Sequence, residues 1–237
     1  MSTNLNIGII GSVRGWNTIL TQEGISFDII SFPEMIDSKK YPILILDSIT
    51  QVKSYKSIEN YMKTGGALLI STRLWKVFFR GIGKAKRVKY LQPNNINLFP
   101  NIGLVDIYDK IEIPLDNSLT ILDSTLFIFE KIIGLGKLVV YPFDLPKTMN
   151  DFRKTRKRFL DSRKELPSEI VATVSKNKIR KIMISCLQHL FKFQNIPLVS
   201  LWYYPKKEET IFIFRVDTDF CSREKSVKLF DICKEYD

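Results

Sequence analysis

The sequence predicts an α/β protein built on a doubly wound, mostly parallel sheet. Short apolar runs recur at Asn6 to Ile10, Phe27 to Ile30, Ile43 to Leu46 and Ala67 to Ser71, each about the length of an ordinary strand. Stretches of helical period separate several of them, which is the order of βαβ units. The third run, Ile43-Leu44-Ile45-Leu46, is apolar at every position. Strands covered on both faces have this character, whereas half-exposed strands alternate.

Taken in order, Asn6 to Ile10 is the first strand and Gly11-Ser12 leaves it. Gly8, Gly11 and Gly15 do not form a G-x-G-x-x-G fingerprint, so a nucleotide cofactor is not expected here. Trp16 to Glu23 reads as a helix that Gly24 stops. Phe27 to Ile30 is the second strand, and Ile43 to Leu46, ending at Asp47, the third. Ser54 to Lys63 is a helix with Ile58, Tyr61 and Met62 on one side, closed by Gly65-Gly66. Ala67 to Ser71 is the fourth strand. Thr72 to Pro114 reads as an irregular insertion over the sheet edge, with a basic run of Arg80, Lys84, Lys86, Arg87 and Lys89. Later strands are expected at Ser118 to Leu122, Leu126 to Glu130 and Gly136 to Tyr141, the last two joined as a hairpin through Gly134-Leu135.

With 237 residues, 45% hydrophobic and 26% charged, the chain has the composition of an ordinary globular protein. Its apolar runs stay below the roughly 18 residues of a membrane span. The start, Met1 to Asn6, lacks a basic segment ahead of an apolar one, so a cytoplasmic location is expected. The formal charge is +11, which admits nucleic acid, an anionic membrane surface or an acidic glycan as a partner. Cys186, Cys221 and Cys233 are odd in number and lack CxxC spacing. That argues against disulfide staples and a structural zinc site.

Tyr61-Met62-Lys63-Thr64-Gly65-Gly66-Ala67-Leu68-Leu69-Ile70-Ser71, with the strand before it, resembles the class I glutamine amidotransferase-like fold. Gly134-Leu135-Gly136-Lys137-Leu138-Val139-Val140-Tyr141-Pro142-Phe143 resembles that fold's returning hairpin. Catalytic members of the family carry a nucleophilic Cys on a tight strand-to-helix turn and a downstream His. Here Ser71-Thr72-Arg73-Leu74 occupies that turn, and His189 is the only histidine. The resemblance therefore implies a non-catalytic domain over residues 1–146.

Residues 147–196 are expected to form a basic helical linker. Asp151 to Lys164 carries Arg153, Lys154, Arg156, Lys157, Arg158, Arg163 and Lys164 beside Phe152, Phe159 and Leu160, which reads as a basic amphipathic helix. A solvated face is preferred to a nucleic-acid patch, because no aromatic side chains interleave with the charges. Helical character resumes at Pro167. Ile170, Val171, Val174, Ile179, Ile182, Met183, Cys186, Leu187 and Leu190 form an apolar stripe. His189 at its border reads as a hydrogen-bonded packing residue and Cys186 as a small buried hydrophobe.

The last stretch carries the chemistry. In Ile211-Phe212-Ile213-Phe214-Arg215-Val216-Asp217-Thr218-Asp219, five of the first six residues are apolar, a buried-strand pattern. Asp217 and Asp219 are two residues apart and project to the same side of an extended chain. They suit a divalent metal, or one metal ligand and one general base. The alternative is a strand-end residue and a cap on the next helix, which is expected from Ser222 onward.

Leu201-Trp202-Tyr203-Tyr204-Pro205 with Phe212 to Asp219 resembles the entry into a polysaccharide deacetylase (NodB-homology) domain, a distorted (β/α) barrel. The resemblance implies that residues 197–237 begin such a domain. It implies Asp217 as the base that activates water and Asp219 as an acidic ligand of a zinc-like metal. The family completes its metal site with an H-x-x-x-H helix, and no histidine follows His189 here. The implied protein is therefore the N-terminal portion of a carbohydrate N-deacetylase acting on an acylated amino sugar. As this fragment it is expected to hold no metal and to be inactive. The alternative is a non-enzymatic scaffold whose basic surface engages an anionic partner.

Overall fold

The computed structural model describes residues 5–11, 14–31, 36–47, 55–161, 164–201 and 222–235. The chain divides into two compact units, Met1–Leu201 and Trp202–Asp237. In the first, β1 (Ile7–Ile10), α1 (Trp16–Gln22), β2 (Phe27–Ile30), β3 (Ile43–Leu46), α2 (Tyr55–Lys63), β4 (Ala67–Ser71) and α3 (Thr72–Phe78) follow in order. A ribbon of β5 (Gly83–Leu91) and β6 (Val105–Pro114) comes next, then β7 (Thr120–Asp123), β8 (Ile128–Ile133), β9 (Gly136–Tyr141) and α4 (Leu145–Met149). β10 (Lys154–Asp161), β11 (Lys164–Ala172) and α5 (Lys176–Phe193) complete the unit.

The main sheet has the order β2-β1-β3-β4-β9-β8-β7. Its first five members run parallel, while β7-β8-β9 is an antiparallel meander. The fold is thus α/β with a mostly parallel sheet. The continuous apolarity of β3 has the expected cause. Ile43 and Ile45 pack on one face with α1 and α5, and Leu44 and Leu46 on the other with α2 and α3. Successive side chains of a strand point to opposite faces, so both sets are covered. The turn after α1 places Gly24 at φ +61°, and its amide region meets Leu201, whose N–H donates to the Gly24 carbonyl at 2.9 Å.

Three expectations are corrected. Asp151 to Lys164 is not a helix. β10 pairs antiparallel with β11, from Lys154 opposite Ala172 to Asp161 opposite Lys164. The basic run is compatible with either period, and pairing with a second strand further along the chain decides it, since tertiary context overrides weak local propensity. Ile170 and Val171 accordingly belong to β11 rather than to a helical stripe. Second, Thr72 to Pro114 is ordered as α3 and the β5–β6 ribbon, with Val105, Ile107 and Ile111 of β6 in the core. Third, residues 147–196 do not form a helical linker. Ile179, Ile182, Met183, Cys186, Leu187 and Leu190 of α5 are fully buried in the same core as Ile7, Ile45 and Leu69 of the sheet. In the second unit the described element is α6 (Arg223–Lys234).

Candidate functional site

Asp217 and Asp219 lie outside the described residues. The helix that follows them is α6, and its N-cap is Ser222, whose Oγ accepts from the Lys225 N–H at 3.5 Å. The cap considered for Asp219 is therefore supplied by Ser222. Among the described residues, no three His, Cys, Asp or Glu side chains gather where a metal ion could be held.

The other two residues singled out, His189 and Cys186, both lie on α5. His189 of α5 sits 2.7 Å from Glu130 of β8, and Lys137 Nζ reaches the same Glu130 oxygen at 2.7 Å. These contacts, led by the His189 hydrogen bond, hold the Glu130 carboxyl down at about 2. The cluster joins α5 to β8 and to the amino end of β9, which agrees with a packing role for His189. Cys186 is fully buried on α5, and burial pushes its thiol well above the usual range, so it is a packing residue as expected.

The carboxyl edge of the sheet is different. β3, β4 and β9 end there side by side, with Leu46 opposite Ile70 and Ser71 opposite Tyr141. Open α/β sheets place their ligands at this edge. A cavity of about 420 Å³ opens on it, lined by Asp47, Ser71, Arg73, Leu74, Lys110, Glu112, Tyr141 and the run Pro142 to Lys147. Each element delivers its residue for a local reason. Asp47 directly follows the buried strand β3, and its N–H donates to the Ile10 carbonyl at 2.9 Å. Ser71 ends β4 in an extended conformation (φ −75°, ψ 154°) and caps α3 by accepting from the Leu74 N–H. Asp144 caps α4, accepting from the Lys147 N–H at 3.2 Å, with Pro146 in the first turn. Tyr141 is buried, and its hydroxyl accepts from Trp16 Nε1 at 3.3 Å.

Most polar groups around the cavity have partners. Arg73 faces Asp144 at 3.8 Å, Lys76 holds Glu112 at 3.3 Å, and Lys147 holds Asp109 at 2.8 Å. Asp47 stands apart as a shielded group. Its Oδ2 is shielded from water and has no hydrogen-bond partner among the described residues. Burial, reinforced by the Asp144 charge, raises its carboxyl to about 7. Sequence reasoning took Asp47 only as the end of the third strand. The available signal was a lone carboxylate directly after four apolar residues at the carboxyl end of a parallel strand.

No protein-family model matches the chain, and no curated protein does. Solved structures do. A β-galactosidase from Bacillus circulans sp. alkalophilus superposes with a TM-score of 0.52 at 9% identity, over 82% of this chain and 32% of that one. The cytoplasmic protein STM3548 from Salmonella typhimurium superposes with a TM-score of 0.50 at 12% identity, over 78% of this chain and 98% of that one. An exo-β-1,4-mannosidase, Op5Man5 from Opitutaceae bacterium strain TAV5, aligns at a TM-score of 0.44 and 11% identity, over 60% of this chain and 31% of that one. The chain thus spans about a third of the length of these glycosidases. At these identities the likeness to the β-galactosidase and to STM3548 shows a shared α/β fold. Among the described residues no helix is long and apolar enough to cross a membrane.

Proposed function

We propose that the chain is the N-terminal portion of a metal-dependent carbohydrate N-deacetylase. In this reading the non-catalytic α/β unit resembles the amidotransferase fold and precedes the first βα step of a (β/α) barrel-type domain. The supporting observation is an order of features. The apolar run ending in Asp217-Thr218-Asp219 lies in a unit of its own, which begins at Trp202, and the helix α6 follows it within a few residues. Asp217 acts as the base that deprotonates water, and Asp219 as the acidic ligand of a divalent metal, zinc-like in character. The remaining ligands belong to chain beyond the 237 residues, and the fragment alone holds no metal. The substrate is an acylated amino sugar within a glycan. A cytoplasmic location goes with this reading.

The test begins with the reading frame past codon 237. An H-x-x-x-H segment soon after it, with a full-length protein that releases acetate from an N-acetylated glycan in a metal-dependent way, supports the proposal. Asp217→Asn and Asp219→Asn should then each abolish release, and full activity in either variant overturns the assignment.

A second reading is favoured by one observation. Lys84, Lys86, Arg87 and Lys89 of β5 are exposed, and among the described residues none makes an ion pair. Unneutralised cations on a two-stranded ribbon suit an anionic partner held by the α/β unit as a scaffold. Retention on heparin or DNA that weakens steeply with salt supports it, and salt-insensitive behaviour counts against it.

A further inference from the structure

We infer that the cavity at the carboxyl edge of β3, β4 and β9 is a binding site for a small neutral saccharide, with the Asp47 carboxyl as the acceptor of a sugar hydroxyl. The inference does not depend on the deacetylase reading. It starts from a carboxyl group that costs the fold something and returns nothing to it. Asp47 has a shielded oxygen without a partner among the described residues and a neighbouring like charge in Asp144. A buried acceptor left unmade destabilises, so such a group calls for an explanation. Here it lines a cavity of about 420 Å³, within the size range of small-molecule sites.

The lining decides the ligand class. Three acids, Asp47, Glu112 and Asp144, stand among three cations, Arg73, Lys110 and Lys147, and with Asp47 holding its proton up to about pH 7 the lining stays within one positive charge of balance. A site so near balance gives little net attraction to a strongly charged ligand. A neutral polyol meets such a lining well, because each hydroxyl both donates and accepts. Between the charges run apolar side chains, Leu74, Pro142, Phe143, Leu145 and Pro146, which can cover the C–H face of a sugar ring. The wall is also firmly held. Gly15, at φ +92°, lets the start of α1 approach the backbone of Pro146, where a β-carbon would lie 3.1 Å from its Cα. A wall preformed in this way need not be ordered on binding.

The test is a titration of the 237-residue protein with glucose and with N-acetylglucosamine, followed by amide chemical shifts, with glucose 6-phosphate and putrescine as charged controls. Millimolar binding of a neutral sugar, with shifts at Ser71, Arg73, Lys110 and Phe143, is the expected result. Affinity should fall in the order wild type, Asp47→Asn, Asp47→Leu, with a loss of about tenfold or more for the last. Asp47→Asn keeps the side-chain shape, so it decides the matter should Asp47→Leu fail to fold. The inference is overturned if no neutral sugar moves these amides, if only a charged control does, or if affinity is unchanged in Asp47→Asn and Asp47→Leu.

Discussion

Asp47 and Glu130 are two carboxyls whose environments push them in opposite directions, and each leaves its own mark on stability. Asp47 is raised from 3.8 to about 7, first by burial and then by Asp144. The folded state therefore holds its proton more tightly than the unfolded chain. Its contribution is fully present below pH 3.8 and is lost as pH rises through about 7. Asp47→Asn should remove this loss, raising Tm at pH 8 while changing it little at pH 4, as thermal unfolding at the two pH values would register. Equal shifts at both would contradict the assignment. Glu130 is lowered from 4.5 to about 2, first by its hydrogen bond with His189 and also by Lys137. Its contribution is present above pH 4.5 and is lost as pH falls through about 2. Glu130→Gln should cost about 1–2 kcal/mol at pH 7, measured by urea unfolding, and much less at pH 2. Of the two residues, His189 was legible as a packing histidine from its place beside an apolar stripe. Asp47 was legible only as a strand end, because a pKa is set by neighbours such as Asp144 that come nearly a hundred residues later in the chain.

At the scale of elements, the sequence pattern located whatever its own neighbours determine. β1, β3, β4 and β9 are apolar runs with few alternatives, and α2 carries Ile58, Tyr61 and Met62 on the buried side expected from helical spacing. The β10–β11 hairpin was misread because Phe152, Phe159 and Leu160 fit a helical stripe among Lys and Arg residues, and only a partner strand chooses between the periods. The β5–β6 ribbon escaped notice for a related reason: β5 is polar almost throughout, so nothing in its own composition marks a strand. One junction between elements is testable by a single methyl group. A β-carbon on Gly136, the first residue of β9, would lie 2.3 Å from the Gly66 carbonyl oxygen and 2.4 Å from that of Met62. Both are backbone atoms that cannot swing aside. Gly136→Ala should therefore cost more than about 2 kcal/mol in chemical denaturation, and a neutral result would show that α2 can retreat from β9. For β5, replacing Lys84, Lys86, Arg87 and Lys89 together with Gln should lower the salt concentration that elutes the protein from heparin. An unchanged elution would remove β5 as an anion-binding surface.

For the whole molecule, the two cores determine how much chain the α/β unit needs. The buried residues on the α1–α5 side of the sheet end at Phe191, and those on the α2–α3 side end at Val140. Among the described residues, the last to pack against either core are Ile196 and Leu198. α6 buries no side chain. Both faces of the sheet are thus covered by residues before Leu201, and a chain of that length holds enough apolar surface for a cooperative core. Residues 1–201 alone should unfold in one transition, with a Tm within about 3 °C of the 237-residue protein. The segment just before the boundary is not dispensable. Leu201 donates its N–H to the Gly24 carbonyl, and Ile196 and Leu198 lie on the core beside α5. Ending the chain at Asn195 removes that hydrogen bond and uncovers apolar surface, and should cost about 2–4 kcal/mol. Thermal denaturation of the two truncations followed by circular dichroism separates the cases. If residues 1–201 melt far below the longer chain, the α/β unit depends on the second unit, and the division at Leu201 fails as a description of how this protein folds.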